Sequence, residues 1–142
     1  MTYQPNFSNV EASQLTLSAT GNLATNDYFT LTADHTGITG QSISADTLTL
    51  PKGAYLVNAS VGLDRTSFNN IFEYQIEVNG SLVGSVGRVD NGLHGDMNVD
   101  QAVASFELTA STDIKIKVTD CTSSAWTTQS AYSYLTVIRA TR

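Results

Sequence analysis

The stretch 47–63, TLTLPKGAYLVNASVGL, constrains the fold more than any other part of the chain. Tyr55, Val57, Ala59, Val61 and Leu63 recur at every second position, the signature of a strand with one buried face. Pro51 has no N–H to give to a ladder, so it marks a break between two strands. Gly53 supplies the backbone freedom for the corner.

The same period of two runs through the rest of the sequence. Leu15 and Leu17 alternate with Thr and Ser over 14–20, and Phe29, Leu31 and Ala33 alternate over 28–33. One strand is expected over 42–50 and a second over 54–63. Over 71–78, Phe72, Tyr74, Ile76 and Val78 face inward, and Glu73, Gln75 and Glu77 outward. Asn79-Gly80 is the strongest hairpin signal in the chain and sends it into a strand over 81–89. In 99–109, Ala104, Phe106 and Leu108 oppose Val103, Ser105 and Glu107. In 113–119, Ile114, Ile116 and Val118 oppose Lys115 and Lys117. A long polar loop is expected over 120–129. In the final strand, 131–139, Leu135 and Val137 lie on one face and Tyr132, Tyr134 and Ile138 on the other.

Turns recur every 8–12 residues and no helical pattern of useful length occurs. Only 14% of the residues are charged, so the long helix formers Lys, Glu and Arg are scarce, and Ser and Thr take their place. The fold class is therefore all-β: a two-sheet antiparallel jelly-roll sandwich of about ten strands. With 142 residues the chain is one domain, spanning 14–142, behind an extended polar arm over 1–13.

The charge balance excludes several functions. A net charge of −6 with seven Lys and Arg lacks the basic footprint of a nucleic-acid binder or of a membrane-surface protein. A single cysteine, Cys121, permits no intrachain disulfide. The N-terminal sequence has neither the basic nor the apolar region of a signal peptide, and no apolar run is long enough for a transmembrane helix. Asn6, Asn58 and Asn79 open glycosylation triplets, which arise by chance in a chain this rich in Ser and Thr.

Residues 46–139 resemble the C1q/TNF-like jelly-roll family. The resemblance is carried by the order of several short motifs: Gly53-Ala54-Tyr55 after an apolar strand, then Tyr74 to Gly80 ending in Asn-Gly. Ala104 to Leu108 with Ile114 to Val118 follow as an antiparallel pair, and Ser133 to Ile138 as the closing strand. The chain departs from the family pattern in having no Gly-X-Y stalk and no secretion signal, and Ser111-Thr112-Asp113 stands where Gly-Asp is usual. Small domains of this kind resemble virion proteins of tailed phages. The resemblance implies a homotrimer in which the edge of one jelly roll packs on the face of the next. Tyr55, Tyr132, Tyr134 and Ile138 are the expected interface residues, since tyrosine buries its ring while its hydroxyl finds a partner.

No catalytic, cofactor or metal site is expected. Asp34-His35 and Asp90…His94-Gly-Asp96 read as loop residues without a recognised ligand set. Cys121 has no histidine partner in sequence, and Glu73 with Glu77 is ordinary strand alternation. The expected function is that of a phage virion structural protein, a homotrimeric capsid decoration (cement) protein that bridges subunits of the major capsid protein. It would assemble in the host cytoplasm. Tyr3, Pro5 and Phe7 in the arm are the candidate docking residues. The alternative is a receptor- or carbohydrate-binding knob that uses loop residues Trp126, Asn91, His94 and Phe68.

Overall fold

Alternating side chains put apolar residues on one face of each strand, and two sheets bury those faces against each other. The computed structural model describes residues 9–19, 23–65, 71–90, 98–121, 126–128 and 130–141. It contains β1 (Asn9–Ser18), β2 (Thr30–Thr36), β3 (Ser42–Ser44), β4 (Thr47–Leu50), β5 (Gly53–Arg65) and β6 (Ile71–Val78). Then follow β7 (Ser81–Asp90), β8 (Asn98–Leu108), β9 (Thr112–Cys121), β10 (Trp126–Thr128), a 3₁₀ turn at Ser130–Tyr132, and β11 (Tyr134–Thr141). The first sheet runs β8-β5-β11-β1-β2. Short β10 continues the β11 side of β5: Leu63 pairs with Thr128 on that side and with Asn98 of β8 on the other. The second sheet runs β3-β4-β9-β6-β7. All pairings are antiparallel, as expected for a jelly-roll sandwich.

The core lies between the sheets. Leu15, Leu17, Val57, Ala59, Leu135 and Val137 of the first sheet meet Leu48, Phe72, Ile76, Ile114, Ile116 and Val118 of the second, all fully buried. Phe29 sets its ring edge-on to Phe72 and Tyr74, with centroids 6.1 and 6.2 Å apart. The Tyr74 hydroxyl donates across the core to the carbonyls of Ala59 and Asp100, and burial raises its pKa.

The sandwich is stitched shut along the β7–β8 side by side chains in place of a ladder. Ser85 Oγ accepts the Val103 N–H at 2.9 Å and donates to the Val103 carbonyl, while Asp100 Oδ2 accepts the Arg88 N–H at 2.6 Å. A bulge in β7 makes this possible. Tyr74 pairs with Gly87 and Ile76 with Val83, so one β6 residue, Gln75, faces the loop of Gly84 to Val86. Gly84 has φ +74°, and any Cβ there would run into the Val103 carbonyl.

Several local expectations change. The polar arm is shorter than residues 1–13, because Asn9 to Ser13 already pair with β11. The expected strand over 42–50 is a hairpin, β3 and β4, turning at Ala45 with φ 51°. Ala45 is held there by accepting the Leu31 N–H at 2.9 Å. Residues 26–29 belong beside β9 of the second sheet, with Tyr28 bridging Lys117, and the chain crosses to the first sheet only at β2. The Asn79-Gly80 turn is as read: both residues have positive φ, 49° and 81°, as a type I′ turn requires. Glu77 points outward as expected but is only 7% exposed, because Tyr28 crosses over β9 to cover it.

Candidate functional site

The outward faces of the two sheets differ in chemistry. On the second sheet the charges are paired: Arg88 with Glu73 at 3.3 Å, Lys115 with Asp46 at 3.4 Å, and Lys117 with Glu77 at 3.7 Å. On the first sheet, the outward positions of β8, β5, β11 and β1 hold two acidic residues, Glu107 and Asp64, both toward strand ends, and Asp34 of neighbouring β2 accepts the Thr16 hydroxyl at 2.8 Å. Register lines them up in rows. Val10, Ala140 and Ala54 form one row, Ala12, Ile138, Leu56 and Ser105 the next, and Thr136, Asn58 and Val103 a third. Leu56 is 46% exposed, Ile138 36% and Tyr132 47%, while Val10, Val99 and Val103 are exposed as well. Asn58 Nδ2 donates to Gln101 Oε1 at 3.3 Å in the middle of the face. The second and third rows, at the middle of the face, offer apolar contact and hydrogen bonds but no charge.

Two further apolar side chains are exposed on β7: Val86 within the bulge, and Leu82, which is outward by alternation opposite Glu77. The β7–β8 edge and the first-sheet face thus present separate apolar surfaces on one chain.

Three of the four expected interface residues, Tyr132, half-buried Tyr134 and Ile138, share this face. Tyr55 does not and requires correction. It points into the core, is buried, donates its hydroxyl to the Pro51 carbonyl at 2.7 Å and lies 5.9 Å from the Phe106 ring. Its parity with Val57 and Ala59 puts it inside. Leu56, Val99 and Val103 were missed. Their signal was an apolar residue at an outward position of the alternation, as with Leu56 between Tyr55 and Val57.

The ends of the sandwich are distinct. At one end Arg139 ties four segments together: Nη1 reaches Glu11 Oε2 at 3.0 Å and the Thr39 carbonyl at 3.4 Å, and Nη2 the Lys52 carbonyl at 2.7 Å. Asn9, where the described chain begins, pairs with Thr141 at this end. The other end holds Arg65, Ile71, Asp90, Asn98, Cys121 and Trp126, linked by the pairs Trp126–Arg65, Asn98–Leu63, Ile71–Asp90 and Phe72–Cys121. The candidate loops all spring from that end. Trp126 is the first residue of β10 rather than part of a loop. Asn91, His94 and Phe68, and the arm residues Tyr3, Pro5 and Phe7, lie outside the described residues. Among the described residues, no group of three His, Cys, Asp or Glu is placed to hold a metal ion.

No family model and no curated protein matches this sequence. Solved structures do match its fold. Crystal structures of murine APRIL, a TNF-family protein, at pH 8.0 and pH 8.5 superpose with TM-scores of 0.66 and 0.68. Each is 12% identical and covers 92% of this chain and 99% of the other. The same protein at pH 5.0 gives a TM-score of 0.66 at 14% identity, covering 90% of this chain and 98% of the other. At such identity the likeness is one of fold: the chain folds as a TNF-like jelly-roll sandwich.

Proposed function

We propose that this chain is a virion structural protein, a homotrimeric decoration module that binds a phage capsid surface and carries no catalytic activity. The observation that carries the self-association is the outward face of the first sheet, whose middle rows hold no charge in a chain of net charge −6. Acidic copies repel, and they meet with least cost where charge is absent. Four strands about 4.8 Å apart and about nine residues long make a face of roughly 570 Å². That is the larger part of the roughly 800 Å² per partner of a stable interface. The β7–β8 edge, with Leu82 and Val86, is a different surface from the face it would meet, and edge-on-face contacts close into a ring.

The virion placement rests on the sequence resemblance and on polarity. Asn9 lies at the Arg139 end, and Arg65, Ile71, Asp90, Asn98, Cys121 and Trp126 lie at the other, so a trimer has two ends of different composition. Three copies bound to one shell multiply weak contacts. Particles purified with and without the protein test this reading. Bound protein that raises the temperature at which shells open supports it, and absence from the particles refutes it. The gathering of the candidate loops at one end favours the recognition knob as a second reading, which glycan-array or host-cell binding would support.

A further inference from the structure

We propose that Ser133 is a positioning residue that fixes Tyr132 on the outward face of the first sheet as an anchor for a second copy of this chain. The inference rests on the self-association proposed above and names the residues that set its specificity.

β11 pairs with β5 only as far as Ser60, and β10 resumes at Leu63. Between them, among the described residues, Val61 and Gly62 have no ladder partner on that side. The Ser133 side chain takes its place: Oγ accepts the Gly62 N–H at 3.1 Å and donates to the Gly62 carbonyl at 3.0 Å. Two more bonds fix the same point. The Leu17 N–H donates to the Ser133 carbonyl at 3.0 Å, and Ser60 Oγ donates to the Tyr132 carbonyl at 3.3 Å. Ser133 is fully buried.

This lock turns the preceding residue outward. Tyr132 lies directly over Gly62, where an added Cβ would stand 2.5 Å from the Tyr132 Cβ and 3.5 Å from Val99 Cγ2. Only glycine leaves room for that seat. Tyr55 and Tyr74 are buried, yet Tyr132 is 47% exposed beside Val99 at the corner of the first-sheet face. A large aromatic on a pinned backbone loses little entropy on binding, which is the property of residues that dominate interfaces. The occupant is a second copy, because the charge-free middle rows of the same face, Ala12–Ile138–Leu56–Ser105 and Thr136–Asn58–Val103, are where two acidic chains can approach.

The test is a double-mutant cycle on the self-dissociation constant, measured by sedimentation, with the melt of each variant recorded alongside. Tyr132→Ala truncates an exposed ring, so it keeps the wild-type melt when diluted to monomer and weakens association about tenfold or more. Ser133→Ala weakens association severalfold and lowers the melt as well. Because Ser133 acts through Tyr132, the double variant associates no more weakly than Tyr132→Ala alone. Wild-type association that Tyr132→Ala leaves unchanged, or two penalties that multiply, overturns the anchor alone. A wild-type chain that stays monomeric at every concentration overturns the trimer and the anchor together. If Ser133→Ala does not fold, the Tyr132→Ala comparison still decides the anchor.

Discussion

Removing one hydroxyl, Tyr28→Phe, tests how the second sheet holds a covered carboxylate. Glu77 is almost wholly covered, and its two oxygens share the Tyr28 hydroxyl at 3.2 Å each. Its other partner is Lys117 Nζ at 3.7 Å. The Tyr28 ring also lies 4.6 Å from Lys115 Nζ and 5.8 Å from Lys117 Nζ, and Phe preserves those contacts. A hydrogen bond to a charged group contributes about 1.5–3 kcal/mol, and the long shared geometry places this one near the lower end. The expected cost is therefore about 1.5 kcal/mol, or roughly 3–6 °C in a domain of this size. Glu77→Gln supplies the control. If the cost comes from a stranded charge, Tyr28→Phe costs roughly half as much when the partner is a neutral amide. Urea unfolding of the four proteins at one fixed concentration reads the cycle. A Tyr28→Phe variant within about 0.5 kcal/mol of wild type, or equal penalties in both backgrounds, refutes the reasoning.

Two further predictions concern stability. Ala45→Gly relieves a left-handed backbone at the β3–β4 turn and stabilises the fold by about 0.5–1 kcal/mol, read as a higher urea midpoint with unchanged slope. The Glu11 carboxyl is held below the usual glutamate value by the Thr39 hydroxyl at 2.8 Å, with burial opposing and Arg139 assisting. A folded pKa below the unfolded one contributes stability that is complete above the unfolded value and is lost as pH falls through the folded value. Glu11→Gln accordingly flattens the fall in melting temperature between about pH 6 and about pH 3. An unchanged acid limb removes Glu11 as its cause.

Strand existence was legible because period-two alternation survives wherever one face is buried. Thus 71–78 was read at its observed bounds, and Asn79-Gly80 fixed the hairpin. Turns without the usual residues were not legible. Nothing local marks Ala45-Asp46 as a turn, and a tertiary bond from Leu31 holds it. The 3₁₀ jog before β11 hid for the same reason, since Ser133 makes its two bonds to a residue 71 positions away. Alternation also assigns parity but not cover. It put Glu77 outside without revealing Tyr28 above it, and it left Leu56 unnoticed as an outward apolar residue. The outward placement of Tyr134 and Ile138 could be read from the alternation of the last strand, and that of Tyr132 follows although it lies in the 3₁₀ turn before β11. The role of Tyr55 could not, because an inward tyrosine and an interface tyrosine look alike in sequence.

The most direct measurement is the mass of the protein in solution, by sedimentation velocity across a concentration series, for wild type and Leu56→Asp. Leu56 is central to the face and exposed in a single chain, so the added carboxylate leaves the fold intact and puts an unpaired charge beneath the neighbouring copy. The account predicts a wild-type species of three times 15.2 kDa that Leu56→Asp dissolves into folded monomers. A wild-type monomer at every concentration, or a trimer that Leu56→Asp does not disturb, contradicts it.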